Sequence, residues 1–171
     1  MKTLLTALAA SLATAAAAGS VLPTRGAKPS VYTDSVYGFS IQAPAFPPAA
    51  TGSSATPVML VAPSEDNFAS NVNVMVLNAA VSLEDYQAQS LKEFKAMGLK
   101  ENSETKSKIA GRDAIVWDYE GKLQGNELRW LAAAIAAKDK VYLITCTTLK
   151  KHFEKHEKEF RACLESFKLS E

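Results

Sequence analysis

The sequence lacks the short motifs by which most enzymes can be identified. It contains no G-x-S-x-G nucleophile elbow, no Walker phosphate loop and no dinucleotide-binding G-x-G-x-x-G. Its only histidines are His152 and His156, so a serine or cysteine nucleophile would have few bases to activate it. We therefore expect no catalytic residues and no cofactor. An enzyme whose site is assembled from residues scattered along the chain stays open as an alternative.

An excess of charge of either sign is also missing. The chain has 19 basic and 18 acidic residues, and loss of Lys2 would make the two signs equal in number. A nucleic-acid-binding surface needs clustered basic residues, and so does an electrostatic site for a membrane surface. The composition therefore predicts no nucleic-acid partner.

An apolar run lies close to the N-terminus. Lys2 precedes an apolar run at residues 4–12 and a tract of small residues at 13–19 that contains A-x-A-type sites. This order is typical of a cleaved secretory signal peptide. A retained transmembrane anchor is the alternative, but the run is rich in alanine and weak in leucine and isoleucine. No cysteine follows in the position that a bacterial lipoprotein needs.

The domain organisation follows from this segment. We expect a signal peptide at residues 1–19, a flexible leader at 20–30 and a single domain at 31–169. About 150 residues can bury a core without help from disulfides. The sequence thus predicts an exported protein, periplasmic or secreted, that is a monomer and has no stable membrane insertion after cleavage.

The mature chain reads as three short strands, a helix, a four-strand meander and a final helix. We predict early strands at residues 37–43, 58–62 and 71–78, and a helix between the cap Ser82 and the stop Gly98. In the third strand the alternation of valine and asparagine predicts one buried and one wetter face. Turn signals at Gly111, Gly125 and residues 138–140 divide the meander, and its apolar segment 128–137 should be a central strand.

The last helix is predicted at residues 150–167. Phe153, His156, Phe160, Cys163 and Phe167 recur at steps of three and four, which predicts a single stripe facing the core. The fold class is therefore α+β. A mostly antiparallel sheet of about six to seven strands should be sandwiched by the amphipathic central helix and the C-terminal helix.

This arrangement resembles the PsbP-like and DcrB-like family of α/β/α sandwich domains, which includes exported bacterial proteins. The matching segments cover nearly the whole mature chain and keep their order. They are Tyr32-Thr33-Asp34, Tyr37-Gly38-Phe39-Ser40-Ile41 with Pro44, Asn71-Val72-Asn73-Val74, Ser82-Leu83-Glu84-Asp85-Tyr86, Ile109-Ala110-Gly111 and Leu164-Glu165-Ser166-Phe167. The sequence departs from the family pattern at Phe46-Pro47-Pro48, where a tryptophan commonly follows the proline.

The resemblance implies a fold more than an activity. Better-known relatives serve as accessory subunits or binding factors for other macromolecules, including the photosynthetic oxygen-evolving complex and a nuclear GTPase. Nothing in this sequence matches a partner site of either. We therefore expect a non-enzymatic extracytoplasmic binding or accessory module whose partner is another envelope or secreted protein.

Two cysteines, Cys146 and Cys163, are the most specific feature of the mature chain. An even count in an exported protein predicts pairing, here between the last strand and the last helix. The bridge would staple the terminal helix and add about 3 kcal/mol of stability in the chain-entropy model. Two buried free thiols are the alternative, and the absence of a C-x-x-C motif argues against a redox centre.

Two further groups of residues are weak candidates for a site. His152, His156 and Glu159 have a spacing that could surround a metal ion. One half-buried histidine and one surface histidine are favoured instead, so no metal site is predicted; weak metal handling by this pair is the alternative. Phe160 stands where a zinc-protease helix needs its second histidine, which excludes that site.

Asp118 and Glu120 share a strand face and could form an acid pair, although a solvated sheet surface is favoured. The aromatic side chains are expected in the core rather than on a ligand platform: Tyr37, Phe39, Trp117, Tyr119 and Trp130. The face with Asn71 and Asn73, and the loop 46–57, are the predicted places where a partner could dock.

Overall fold

The computed structural model describes residues 31–44, 46, 48–49 and 56–170. The predicted signal peptide and leader, and part of the predicted loop 46–57, lie outside the described residues. The strands are β1 (Val31–Asp34), β2 (Phe39–Gln42), β3 (Pro48–Ala49), β4 (Val58–Val61), β5 (Asn71–Asn78), β6 (Lys100–Ile109), β7 (Arg112–Leu123), β8 (Asn126–Ala137), β9 (Lys140–Leu149) and β10 (Lys168–Leu169). The helices are α1 (Leu83–Ala96) and α2 (Phe153–Glu165), and a 3₁₀ turn, Lys150–His152, precedes α2.

Across the described residues, seven strands form one antiparallel sheet in the order β3-β4-β5-β9-β8-β7-β6. The meander from β6 to β9 and the central position of β8 are as predicted. Gly111 and Gly125 have φ angles of 72° and 85° at the first two turns, which explains why these turns need glycine. α1 crosses the sheet between β5 and β6, and β6 therefore lies at an outer edge.

Each face of the main sheet is covered by one helix. The layer under α1 includes Trp117, Trp130 and Leu143, all 0% exposed. The layer under α2 includes Leu131 and Ile144, which are also 0% exposed. The alternation of side chains along each strand supplies both layers at once. The predicted α+β class, with an antiparallel sheet between two helices, is confirmed.

The ends of the two helices follow from local chemistry. The Ser82 hydroxyl oxygen accepts a hydrogen bond from the backbone N–H of Asp85 at 3.0 Å, which satisfies one of the free donors at the start of α1. Gly98 lies just beyond α1 with a φ of 68°. The final helix is shorter than the predicted 150–167, because its first turn is 3₁₀ and the chain leaves the helix after Glu165.

A small second sheet was not predicted. It has the order β1-β2-β10 and joins the beginning of the domain to its end. Phe39 stacks on Phe167 with 5.5 Å between the ring centroids, and both rings are buried against the α2 side of the core. Strands of two to four residues are too short to show a periodic pattern, which explains why β1, β3 and β10 escaped prediction.

The prediction of a wetter face on β5 is wrong. Asn71 is 3% exposed and Asn73 is 0% exposed. Their side chains lie on the same face of the sheet as Met75, in the layer that also contains Phe68 and α1. This face therefore offers no docking surface to a partner, and its polar side chains lie in the interior.

Candidate functional site

A groove runs between the edge strand β6 and helix α2 and is the candidate site of this fold. Its volume is about 160 Å³. It exists because α2 packs over β8 and β9 and leaves the same face of β6 and β7 uncovered. The groove is lined by Ser103, Thr105, Ser107, Lys108, Ile109, Val116, Leu131, Arg161, Leu164 and Glu165. Hydroxyl groups form one wall, apolar side chains form the floor, and α2 and Lys108 contribute the charged rim.

The wall of the groove is a strand with one free side. In the part of the chain that the structure describes, β6 pairs with β7 and has no second neighbour in the sheet. Nine of its ten residues are exposed or partly exposed. A register shift between Glu101 and Ser103 marks a bulge near one end. From Ser103 to Lys108 the outer edge therefore presents main-chain donors and acceptors to an incoming chain.

Side chains on the rim of the groove carry both signs of charge. Arg161 donates to the Glu157 carboxylate from two nitrogens, at 2.9 and 2.7 Å, across one turn of α2. Lys108 pairs with Asp113 at 2.9 Å across the β6–β7 turn. These exposed pairs are weak. They leave the groove with no net preference for a strongly charged ligand.

A buried ionic network continues the same face beyond the groove. Asp118 lies opposite Ser103 of β6 and is 5% exposed. Arg129 donates to both oxygens of Asp118, at 2.9 and 2.7 Å, and its guanidinium lies 3.9 Å above the Phe153 ring. This bidentate contact raises the pKa of Arg129. The network ties β7 and β8 to the start of α2.

Glu120 belongs to this network as well. Lys150 and Lys100 donate to its carboxylate at 3.0 and 3.4 Å, and the hydrogen bond from Lys150 is the main cause of a lowered pKa at Glu120. The favoured interpretation of Asp118 and Glu120 as a solvated surface is therefore wrong. Both carboxylates are ion-paired. The lowered pKa of Glu120 makes that group unsuited to act as a general acid at neutral pH.

The two histidines face different surroundings. His152 lies 3.0 Å from Asp66 and 4.0 Å from Glu65, and its side chain is 14% exposed, so it is less exposed than the predicted surface histidine. Lys151 and Lys155 pair with the same two carboxylates at 2.5 and 2.6 Å. This ionic cluster attaches the loop before β5 to the start of α2.

His156 points into the core, as the apolar stripe predicts. Its ring meets Phe46 edge-on at 5.8 Å and stacks on Phe160 at 5.6 Å. Burial lowers its pKa, so the ring is neutral at pH 7. Among the described residues no cluster of three or more histidine, cysteine, aspartate or glutamate side chains is arranged to hold a metal ion. The structure does not bring His152, His156 and Glu159 together as one such group.

Cys146 of β9 and Cys163 of α2 lie next to each other where α2 packs on the sheet. Cys146 is 0% exposed and Cys163 is 2% exposed, and both are free thiols in the structure. The Cys146 pKa is raised, first by burial and then by a hydrogen bond with Cys163. A protonated, buried thiol is a poor nucleophile. The disulfide itself stays a prediction.

The aromatic residues have the predicted structural role. Phe39, Trp117, Tyr119 and Trp130 are 0% exposed, and Phe94, Tyr119 and Trp130 form a continuous stack with ring centroids 4.3 and 5.2 Å apart. Tyr37 is partly buried, and its carbonyl accepts a hydrogen bond from the Tyr142 hydroxyl at 2.8 Å. None of these rings forms an exposed ligand platform.

The groove was not predicted from the sequence, because no sequence motif is associated with it. One signal was available: residues 100–109, KENSETKSKI, are all charged or small and polar except for a single apolar residue at the end. A strand of this composition is typical of a sheet edge. The contribution of Arg161 and Leu164 depends on where α2 crosses the sheet, which the sequence pattern does not specify.

No helix among the described residues has the length and apolar character needed to span a bilayer. No protein-family model matches the sequence, and no curated protein matches it either. Solved structures do resemble the fold. Three of them, each below 25% identity, show a likeness of architecture alone.

Cyanobacterial PsbP (CyanoP) from Synechocystis sp. PCC 6803 is 15% identical, with a TM-score of 0.62 over 88% of this chain and 98% of that one. A Pseudomonas aeruginosa protein of unknown function, PA94, is 17% identical, with a TM-score of 0.60 over 81% and 94% of the two chains. LpqN of Mycobacterium tuberculosis, which is involved in cell envelope biogenesis, is 12% identical, with a TM-score of 0.55 over 86% and 87%. The sheet order, the two covering helices and these likenesses together show that the chain has a PsbP-like fold.

Proposed function

We propose that this protein is a non-enzymatic extracytoplasmic binding module, and that it holds an extended segment of another exported or envelope protein against the free edge of β6. The observation that carries the proposal is the ten-residue edge strand with a groove beside it. A peptide that adds a strand to a sheet gains main-chain hydrogen bonds, and the groove can receive every second side chain.

The lining of the groove indicates which side chains would fit. The hydroxyls of Ser103, Thr105 and Ser107 favour small or polar side chains next to β6. Val116 and Leu164 favour an apolar side chain that reaches the floor. Because Lys108 and Arg161 are already paired and Glu165 adds a single negative charge, the expected ligand is neither strongly acidic nor strongly basic.

The ionisable groups support binding over catalysis. Asp118 and Glu120 are held by Arg129 and Lys150, and Cys146 is a buried thiol with a raised pKa. Export is supported by the signal-like residues 1–19 and by the involvement of LpqN in envelope biogenesis. An accessory role next to another envelope protein agrees with both.

Site-specific photocrosslinking tests the proposal. A photoreactive benzoylphenylalanine replaces Ser107 in the groove, and in a control protein it replaces Lys92, which is exposed on α1. Both are expressed in the native host and irradiated in intact cells. The expected result is a discrete adduct with one exported protein from position 107 and none from position 92. Equal labelling from both positions, or none from position 107, would contradict the proposal.

A matched pair of variants then tests the groove with the captured partner. Ser107→Trp should fill the groove and weaken binding by at least about tenfold, which corresponds to about 1.4 kcal/mol. Lys106→Trp adds the same ring to the next residue of β6, whose side chain points to the other face of the sheet. Equal affinities of the two variants in calorimetric titration would exclude the groove as the binding site.

A further inference from the structure

A row of polar side chains crosses the interior of the main sheet on its α1 side. Asn71, Thr147, Trp130 and Tyr119 lie on four adjacent strands, and each is directly opposite the next. Thr145 lies two residues from Thr147 on the same face. We call these five residues the polar row. Their exposed fractions are between 0% and 3%, so the row is sealed from solvent.

Five side-chain atoms of the polar row have no hydrogen-bond partner among the described residues. They are Asn71 Oδ1, Thr145 Oγ1, Thr147 Oγ1, Trp130 Nε1 and Tyr119 OH. Asn71 uses its amide nitrogen to donate to the Ala69 carbonyl at 3.2 Å, which leaves its oxygen as the open acceptor. Such atoms are rare in folded proteins, and several on one sheet face require a common explanation.

Comparable polar groups elsewhere in the core are satisfied by protein atoms. The second tryptophan, Trp117, is equally buried, and its indole N–H donates to Glu104 at 2.8 Å. Thr148, on the other face of β9, shares a hydrogen bond of 2.8 Å with Ser70. Buried polar groups of the same kinds are therefore hydrogen-bonded directly to protein atoms at these positions, whereas the five atoms of the polar row are not.

The chemistry of the open atoms indicates what could satisfy them. An indole N–H only donates, an amide oxygen only accepts, and the three hydroxyls can do both. A single species that serves all of them must donate and accept, and it must be small enough for a closed site. It should also be neutral, since every member of the row is uncharged and a lone ion in the interior would be strongly disfavoured. Water meets all three conditions.

We propose that the polar row is an internal hydration site, in which ordered water molecules bridge β5, β9, β8 and β7 beneath the layer formed by α1 and Phe68. The site is separate from the groove at β6 and does not depend on the proposed partner.

The two tryptophans provide a direct test in the wild-type protein. In a ¹⁵N-labelled sample, the two indole N–H groups give separate resonances, and cross-relaxation with long-lived water can be measured at each. We expect a water cross-peak at Trp130 Nε1–H and none at Trp117, whose proton is held by Glu104. A cross-peak at neither indole would overturn the proposal, and so would cross-peaks of equal strength at both.

A pair of isosteric variants gives a second test. If water bridges the Thr147 hydroxyl, Thr147→Val should reduce the folding equilibrium constant about fivefold, the usual effect of losing one hydrogen bond. Thr148→Val, which removes the visible bond to Ser70, is the reference for a loss of this kind. If the row is dry, removing an unsatisfied hydroxyl should stabilise the protein. A rise in stability of Thr147→Val, measured by urea unfolding, would therefore contradict the proposal.

Discussion

The two cysteines illustrate how burial controls reactivity at the scale of single residues. Cys146 lies on the inner face of β9 and Cys163 on the core side of α2, so their thiols meet where solvent does not reach. The raised pKa of Cys146 keeps it protonated in the folded protein. We propose that the two residues form a disulfide in the exported protein, giving up two protons and passing two electrons to a disulfide oxidant of the export compartment. The bond would arise while α2 is still undocked, when a thiolate can react.

Alkylation of the mature protein under denaturing, non-reducing conditions tests this proposal. We expect no alkylated cysteine, and we expect reductant to lower stability by about 3 kcal/mol. Cys163→Ala serves as the control, because its stability should not respond to reductant. Recovery of two alkylated cysteines from the native product would exclude the bond.

Glu120 should make the protein more sensitive to acid. Its folded pKa is lowered by Lys150, so its contribution is complete above the ordinary value of 4.5 and is lost as pH falls below that value. Glu120→Gln should cost about 0.5–1 kcal/mol at pH 7, since both lysines are exposed and their pairs with Glu120 are screened by solvent. The variant should also lose less stability than the wild type between pH 5 and pH 3, by roughly the same amount.

Urea unfolding at a series of pH values measures this difference. Glu127→Gln is a suitable control, because Glu127 is exposed on the β7–β8 side of the molecule. Parallel pH profiles for the wild type and Glu120→Gln would contradict the assignment of Glu120 to a stabilising ion pair.

At the scale of elements, α1 depends on a hydrogen bond at its first turn. The Ser82 hydroxyl accepts from Asp85 N–H, and a second hydrogen bond of 2.8 Å joins it to the Asp85 carboxylate. Ser82→Ala should therefore destabilise the domain by about 1 kcal/mol. Ser107→Ala, on exposed β6, should change stability by less than about 0.5 kcal/mol in the same chemical denaturation measurement. Equal effects would mean that the cap contributes nothing specific.

The elements with a long periodic pattern were predictable from sequence, and the short ones were not. β5 and α1 were predicted nearly residue by residue, because alternation in β5 and the cap Ser82 are local signals. The alternation of side chains in β5 led to a wrong prediction of how exposed its two faces are. It identifies two faces of a strand, whereas the burial of Asn71 and Asn73 depends on Phe68 and α1, which come from distant segments. The two-residue strand β10 depends wholly on its pairing with β2.

At the scale of the whole molecule, the proposed export makes a simple prediction about the N-terminus. The chain purified from the native host should begin after the small-residue tract, near residue 20, because a signal peptidase cleaves after small residues of this kind. N-terminal sequencing and intact mass measure this directly. Alanine-to-leucine changes in the tract that abolish cleavage should keep the protein at the membrane, and recovery of the full-length soluble chain would contradict the export prediction.

The candidate site was much less predictable than the fold. The polar composition of β6 identifies an edge, but the groove also needs the position of α2 and the uncovered face of β7. Likewise, Asp118 and Arg129 are separated by a turn in sequence and meet only through the β7–β8 register. A helix or strand formed by one segment can be inferred from the pattern of that segment. A groove or ion pair formed between two segments can be inferred only when the packing of the segments is known.

The small sheet brings the first and last strands of the domain close together. β1 and β10 flank β2 on either side, so the first and last strands of the domain lie about 10 Å apart. Residues 31 and 169 are also offset by three residues along β2, so they lie about 14 Å apart. A linker of about eight glycine and serine residues has a mean span of about 15 Å and could join them. New ends opened at the exposed Gly125 turn would then give a circular permutant that keeps every strand pairing. In such a molecule the covalent path through the domain would change while the arrangement of β6 and α2 would not, so partner binding would survive the loss of both original ends.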